Sequence, residues 1–167
     1  MLDGLRELHR NNLLHLDIKP ANVYLRPGGS PLLLDFGAAQ SSFVNERRAL
    51  PHTLTRGFAP IEQHTRGHIG PWTDIYAVGA TMWACLCGKA PPTATKRAEK
   101  DSYKPAVRQF ASYYSRELLE TIDWCLQMDQ ISRPQNVDAL LEALNRPPSA
   151  PPEPEPLIER LKRIARR

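Results

Sequence analysis

The side chains that could do chemistry lie in one short stretch, His15-Leu16-Asp17-Ile18-Lys19-Pro20-Ala21-Asn22, and in Asp35, thirteen residues after it. Asp17, Lys19 and Asn22 place a carboxylate, an ammonium and an amide within six positions, and the intervening proline disfavours a helix interior. Asn22 and Asp35 offer oxygen atoms, which suit a hard cation such as Mg²⁺. Asp17 could then accept a hydroxyl proton, and Lys19 could stabilise a transferring phosphoryl group.

Short apolar segments on both sides of this stretch must hold those side chains in place. Leucines at helical spacing predict a helix over residues 2–13 that leads into the stretch. Residues 23–25 and 31–34 predict two short strands, joined by a turn that contains one proline and two adjacent glycines. Such a hairpin would hold Asn22 and Asp35 close together at its open end, as a shared metal ion requires.

The two segments resemble the catalytic loop and the metal-binding motif of protein kinases. The stretch from His15 to Asn22 matches the pattern H-R-D-x-K-x-x-N at every specified position except Leu16, and residues 35–37 match D-F-G. The arginine that Leu16 replaces reads activation-loop phosphorylation in many kinases. The resemblance therefore gives no expectation that such phosphorylation is the switch here.

The resemblance implies a role for each of these side chains in phosphoryl transfer from ATP. The implied roles are the catalytic base for Asp17, the γ-phosphate clamp for Lys19, Mg²⁺ ligands for Asn22 and Asp35, packing under the Asp-Phe-Gly turn for His15, and the rest of that turn for Phe36 and Gly37. Mn²⁺ could replace Mg²⁺.

Residues 38–55 lose periodicity and correspond in position to a kinase activation segment. Thr55 precedes residues 57–63, Gly-Phe-Ala-Pro-Ile-Glu-Gln, which resemble the end of this segment in bacterial Hanks-type Ser/Thr kinases. In that family the equivalent Thr bonds the catalytic Asp and Lys and accompanies Ser/Thr substrates. The other hydroxyls and the cations that could pair with an added phosphate are Ser41, Ser42, Thr53, Arg47 and Arg48. For Ser41 and Ser42 a solvated loop position is an equal alternative.

Further residues resemble the structural anchors of a kinase. Residues 71–79 open the most apolar helix of the chain, with Thr73 or Asp74 as its N-cap. A helix that is apolar all round belongs at the centre of a domain. By the resemblance, Asp74 would brace the catalytic-loop backbone, and Glu62 would form a buried ion pair with Arg133.

The fold expected is mainly α (α+β): a kinase-like C-terminal lobe over residues 1–145, with a small β-hairpin at the catalytic loop. Residues 89–105 are interpreted as a surface loop, and residues 117–128 and 137–144 as helices. Nothing in the sequence resembles an N-terminal lobe, with its Gly-rich loop, strand Lys and helix Glu. The expectation is therefore a lobe without its N-terminal partner.

The rest of the sequence is interpreted as a linker and a tail. Residues 146–156 are Pro-rich and predict an extended spacer, and residues 157–167 predict a basic amphipathic helix. The tail could dock on a membrane surface or a partner, but a solvated tail or a segment that continues elsewhere is favoured.

Charge and cysteine usage restrict the function classes. The formal net charge of the 167 residues is +4, and the last twelve residues, with five Lys or Arg and one Glu, account for all of it. A neutral remainder argues against nucleic acid as a partner. Three cysteines without a Cys-x-x-Cys pair predict buried thiols in a reducing compartment. The longest apolar stretch, residues 75–88, is too short to span a bilayer, and we expect a cytoplasmic protein or the cytoplasmic part of one.

Two functions remain open. The first is a Ser/Thr protein kinase, of which this chain is a C-terminal part, acting on Ser/Thr-containing proteins. The second is a kinase-lobe binding module, inactive alone, whose partner is a missing N-lobe or another kinase. The presence of all four polar side chains of the catalytic motifs, at Asp17, Lys19, Asn22 and Asp35, favours the first.

Overall fold

The computed structural model describes residues 1–41, 54–65 and 67–147. Most of the predicted activation segment, including Ser42, Thr53, Arg47 and Arg48, lies outside the described residues. The same holds for residues 148–156 of the predicted linker and for the tail at residues 157–167.

Helices dominate the described part of the chain. The helices are α1 (Leu2–Arg10), α2 (Ile61–Thr65), α3 (Pro71–Cys87), α4 (Ala94–Glu99), α5 (Ala106–Phe110), α6 (Arg116–Cys125) and α7 (Val137–Leu144). The strands are β1 (Leu13–Leu14), β2 (Val23–Leu25), β3 (Pro31–Leu33) and β4 (Gln40–Ser41). β2 and β3 form the predicted antiparallel hairpin, and β1 pairs antiparallel with β4.

Helix α3 is the centre of the packing. Ile75 and Val78 on one side of it pack in a cluster with residues of α1 and α7, whereas Tyr76 and Trp83 on the other side pack with residues of α5 and α6. Eleven of its 17 residues are buried. The sequence prediction of a central apolar helix is therefore correct.

The predicted N-cap of α3 is wrong. Gly70 is the N-cap, Pro71 occupies the first turn, and the hydroxyl of Thr73 accepts the Gly70 N–H at 3.2 Å. Proline suits the first turn because its fixed φ is helical and its missing N–H would have no helical partner there. Asp74 cannot serve as a cap because its carboxylate is bonded to other parts of the chain, as described below.

Two further expectations need correction. Residues 89–105 are not only a surface loop, because they contain α4, in which Ala94 and Arg97 are buried. Thr93 caps this helix by accepting the Lys96 N–H at 3.4 Å. Only one of the three cysteines, Cys125, is buried, because α3 reaches the surface at its end and exposes Cys85 while leaving Cys87 half-buried. Burial raises the pKa of the Cys125 thiol to about 12.

Helices α3 and α6 are in tight contact at a glycine of α3, Gly79. A Cβ added at Gly79 would lie 2.4 Å from Cβ of Cys125. This distance is too short for two non-bonded carbon atoms, so the backbone would have to move to accommodate the added atom. The absence of a side chain at Gly79 therefore allows the two helices, and with them both hydrophobic clusters, to pack in direct contact.

We expect Gly79→Ala to lower the free energy of unfolding by about 1–3 kcal/mol, because overpacking forces the two helices apart. Gly4→Ala is the matched control, since Gly4 lies in α1 with no atom within 4 Å of an added Cβ. That change should raise stability by about 0.5–1 kcal/mol through helix propensity. Urea denaturation measures both, and equal effects would contradict the packing argument.

Candidate functional site

The carboxylate of Asp74 fixes the backbone that leads into the candidate site. It is fully buried on α3, and its two oxygens accept the N–H groups of His15 and Leu16, each at 2.8 Å. His9 Nε2 is a third partner at 2.8 Å, and the side-chain amide of Gln63 donates to the Leu16 carbonyl at 3.1 Å. These contacts hold Leu16 at φ +63°, a left-handed conformation that a branched residue adopts only under such constraint.

The turn at Leu16 presents Asp17 to a ring of hydrogen-bond donors. Its Oδ1 accepts the Thr55 hydroxyl at 2.7 Å, and its Oδ2 accepts Lys19 Nζ at 2.7 Å and Asn22 Nδ2 at 3.2 Å. Lys19 Nζ also donates to the Thr55 hydroxyl at 3.2 Å. The structure thus brings together four side chains that the sequence singled out, from positions up to 38 residues apart.

The partners of Asp17 decide its protonation state. Its partial burial acts to raise the pKa, but the hydrogen bonds from Lys19, Thr55 and Asn22 and the charge of Lys19 outweigh burial. The pKa of Asp17 therefore lies below its ordinary value, and its carboxylate is ionised at neutral pH.

The β2–β3 hairpin brings Asn22 and Asp35 to the same end, as predicted. Directly before Asp35, the Leu34 N–H donates to the Asn22 carbonyl at 2.8 Å. Asp35 is exposed, adopts φ +60°, and accepts the Gly37 N–H on Oδ1 at 3.1 Å. Asp is among the residues that tolerate this left-handed conformation.

His15 lies beneath this turn. It is fully buried, its Nε2 contacts the Leu34 carbonyl at 3.1 Å, and its ring lies 5.2 Å from the half-exposed ring of Phe36. The contact with the Leu34 carbonyl assigns the proton of neutral His15 to Nε2, so that Nδ1 can accept the Asp17 N–H at 3.3 Å. His15 therefore connects the backbone of Asp17 to the turn that carries Asp35.

The donor atoms near the hairpin fit a magnesium ion that is held mainly by phosphate. Asn22 uses its Nδ2 on Asp17, which leaves the amide oxygen as its ligand atom, and Asp35 presents an exposed carboxylate. Mg²⁺ prefers one or two such protein oxygens together with water and phosphate oxygens. In the described ranges, no group of three or more His, Cys, Asp or Glu side chains could hold a metal ion by itself, so a site here needs those further oxygens.

The segment after Thr55 is fixed by a buried ion pair. Arg133 Nη1 and Nη2 donate to the two carboxylate oxygens of Glu62 at 2.6 and 3.2 Å, and the exposed fractions of the two side chains are 0% and 5%. Thr73 donates its hydroxyl to the same Glu62 at 3.1 Å, and Arg133 also donates to the carbonyls of Gln127 and Met128. The charges are therefore paired and their remaining polar atoms are hydrogen-bonded, as burial requires.

Sequence reasoning missed two residues of this framework, His9 and Gln63. His9 lies four positions after the buried Leu5, so its place on the inner face of α1 could have been found from helical spacing. Gln63 ended a motif that was noticed, but its partner, the Leu16 carbonyl, lies 47 residues away and leaves no local signal.

Comparison with known proteins identifies the family. The family model described as "Protein kinase domain" matches residues 1–145, which is most of the chain. The chain belongs to the protein kinase domain family. Its fold is protein-kinase-like, mainly α with a small hairpin, and this confirms the fold class expected from the sequence.

Individual relatives of this protein kinase domain include bacterial and animal proteins. It is 30% identical to serine/threonine-protein kinase PknA of Nostoc sp., over 90% of this chain and 28% of that protein. It is 27% identical to serine/threonine-protein kinase D of Synechocystis sp., over 92% of this chain and 31% of that protein. It is 31% identical to the striated muscle preferentially expressed protein kinase of Danio rerio, over 75% of this chain and 5% of that protein.

A solved structure, the PpkA-294 apo form, is also similar. Its TM-score is 0.73 with 36% sequence identity, over 86% of this chain and 50% of that one. The chain thus spans less than a third of each curated relative named above and half of the solved structure. In the described part of the kinase domain, no helix is long and apolar enough to cross a membrane.

The first prediction from this geometry concerns Thr55. Thr55→Val keeps the shape of the side chain but removes the hydrogen bond that favours the ionised form of Asp17. We expect the pKa of Asp17 to rise, measured by carboxyl NMR titration. Thr65→Val, which removes an exposed hydroxyl bonded only to its own helix, should leave that pKa unchanged. A pKa of Asp17 that stays constant in Thr55→Val would contradict the assigned contact.

Proposed function

We propose that this chain is the C-terminal lobe of a bacterial-type Ser/Thr protein kinase, which transfers the γ-phosphate of ATP to Ser or Thr hydroxyls of proteins. The observation that carries the proposal is the Asp17 carboxylate, ionised and held by Lys19, Thr55 and Asn22. Membership of the protein kinase domain family and the likeness to bacterial Ser/Thr kinases support it.

Asp17 is assigned the role of catalytic base. As the acceptor oxygen forms its bond to the γ-phosphorus, the hydroxyl proton passes to a carboxylate oxygen of Asp17, and the bond from phosphorus to the ADP oxygen breaks. Both carboxylate oxygens already accept hydrogen bonds, so the carboxylate is oriented before an acceptor arrives. A general base placed in this way contributes about 10²–10⁴-fold to the rate.

Lys19 is assigned the role of stabilising the transferred phosphate, and Thr55 that of fixing the acceptor side of the site to the base. Lys19 uses its ammonium on both Asp17 and Thr55, and one N–H remains for a phosphate oxygen. Thr55 ties the segment at residues 54–59 to the base, so that the acceptor side of the site and the base move as one unit. Stabilising charge at a fixed position is the main contribution of a protein to phosphoryl transfer.

Asn22 and Asp35 are assigned to the metal. Mg²⁺, or Mn²⁺ in its place, would offset the negative charge of the phosphate oxygens when bound at these two side chains. The chain itself contributes the hairpin that sets their spacing and the Asn22 bond to the Asp17 carbonyl at 2.9 Å, which couples the metal side to the base.

We expect Asp17→Asn in the complete polypeptide to lower kcat for phosphorylation of a protein substrate by about 10²–10⁴-fold, because the base is lost. The matched control is Asp138→Asn, an exposed carboxylate of α7 that pairs with Arg6 and should leave kcat unchanged. Phosphate incorporation from labelled ATP measures both. Equal incorporation by wild type and Asp17→Asn would refute the role of Asp17.

A second candidate function, a docking module without activity of its own, is favoured by one observation. The hairpin and the turn after it expose large apolar side chains beside the candidate active site: Tyr24 is 52%, Leu25 64%, Leu34 41% and Phe36 53% exposed. An apolar surface of this kind is typical of a contact with another polypeptide. The partner proposed is a kinase N-lobe, in this protein or in another kinase.

Docking predicts that Leu25→Ser weakens binding of a separately expressed kinase N-lobe by about 10–100-fold, because a buried Leu contributes about 1.5–3 kcal/mol. Ile131→Ser is the control, since Ile131 is 75% exposed but lies in the short 3-10 helix Gln130–Ser132 and belongs neither to the hairpin nor to the turn after it. Isothermal titration calorimetry measures both affinities. If binding is lost only in Leu25→Ser while Asp17→Asn changes no phosphorylation, docking is the function.

A further inference from the structure

Arg97 is a buried charge outside the candidate active site. Its side chain is 3% exposed, and Nε and Nη2 donate to the two carboxylate oxygens of Asp101, each at 3.0 Å. The Asp101 side chain is 46% exposed, so this ion pair could form at the surface without burying the guanidinium. Burying a charge is unfavourable unless its other donors also find partners. The burial of Arg97 therefore points to contacts other than the one with Asp101.

Those contacts connect α4 to the two central helices. Arg97 Nη1 donates to the carbonyl of Leu126, at the end of α6, at 2.9 Å and to the hydroxyl of Tyr76, on α3, at 3.3 Å. Its guanidinium also stacks on the ring of Tyr103 at 4.6 Å. Nε and Nη2 therefore hold Asp101, just after α4, while Nη1 joins α4 to both α3 and α6, which fixes α4 in position and orientation.

Tyr76 links Arg97 to the ion pair that holds the segment after Thr55. Tyr76 is fully buried, and the Arg133 guanidinium lies 4.8 Å from the centre of its ring. Arg133 in turn holds both carboxylate oxygens of Glu62 on α2. One aromatic ring therefore contacts Arg133 through its face and Arg97 through its hydroxyl.

A second route connects α4 to the same segment directly. A Cβ added at Gly57 would lie 2.8 Å from the carbonyl oxygen of Pro91, so the chain just before α4 lies against the Gly57 backbone. Gly57 has φ +86°, in the turn whose next two N–H groups, those of Phe58 and Ala59, both donate to the Thr55 carbonyl at 3.1 Å. Residues 90–91 therefore pack directly against the turn that carries Thr55.

We propose that Arg97 is a positioning residue for the candidate active site: by anchoring α4 to Tyr76 and Leu126, it holds Pro91 against Gly57 and so keeps the Thr55 hydroxyl on Asp17 and Lys19. Both routes end at the segment between Thr55 and Glu62, although Arg97 itself contacts neither end of it. The kinetic part of this inference rests on the proposed function, whereas the structural part does not.

Amide hydrogen exchange tests the structural part without ATP or substrate. In Arg97→Lys and in Tyr76→Phe, we expect the amides of Phe58 and Ala59 to exchange about three- to tenfold faster, as the loss of a net hydrogen bond implies. The amides of α7, which does not contact α4 in this network, should keep their wild-type rates. The control is Arg108→Lys, a change at an exposed arginine of α5.

The outcomes separate a local from a general effect. Wild-type exchange at Phe58 and Ala59 in both variants overturns the proposal, and so does faster exchange that is equal at α7. Tyr76→Phe removes only a hydroxyl, so it decides the question if Arg97→Lys does not fold.

The kinetic part is tested in the complete polypeptide. We expect Arg97→Lys to lower kcat about tenfold with KM for ATP unchanged, because Thr55 orients the base and the acceptor side. Faster exchange with an unchanged kcat would overturn the link to Asp17. A wild-type polypeptide that transfers no phosphate would refute the proposed function, while the exchange rates would still decide the position of α4.

Discussion

The structure depends on one buried carboxylate, that of Asp74. It receives three hydrogen bonds, from the backbone of His15 and Leu16 and from the ring of His9, at 2.8 Å each. A fully buried carboxylate is stable only with such a set of donors, and the two backbone donors lie at a turn in which Leu16 adopts the left-handed conformation. The same turn directs Asp17 away from the core. The hydrogen bonds that the buried Asp74 carboxylate needs therefore also set the orientation of the Asp17 side chain at the surface.

The contrast between Asp74 and Asp17 explains how one short stretch supports both structure and chemistry. Asp74 has no solvent exposure and is bonded to backbone groups that cannot move independently of the fold. Asp17 is 23% exposed in its side chain and is bonded to side chains, those of Lys19, Thr55 and Asn22. Side-chain partners can exchange for substrate groups at small cost, whereas backbone partners of a buried carboxylate cannot.

The sequence correctly predicted the features that depend on residues close together in the chain. The order and spacing of the catalytic motifs, the hairpin that joins Asn22 to Asp35, and the apolar character of α3 all follow from residues near one another in the chain. Helix α4 and the partners of His9 and Gln63 were missed for a common physical reason, since they depend on contacts between distant segments. The N-cap of α3 was instead a misread local signal, because Pro71 in the first turn already indicates Gly70. The sequence of α4 has no apolar periodicity because its anchor is Arg97, whose partners are 21 and 29 residues away. A charged residue at a core position gives no hydrophobic signal.

The buried charged residues around Tyr76 supply directional hydrogen bonds that apolar residues could not. Replacing a buried ion pair by well-packed apolar residues is often neutral or stabilising, so stability alone does not account for Glu62, Arg133 and Arg97. Their guanidinium groups share what an apolar side chain lacks, several donors at fixed angles. Arg133 uses them to join α2 to the chain after α6, and Arg97 to join α4 to α3 and α6. The segment that carries Thr55 must be fixed in orientation as well as in position, so that the Thr55 hydroxyl stays within hydrogen-bond distance of Asp17. Apolar packing fixes position, whereas the directional hydrogen bonds of the arginines also fix orientation.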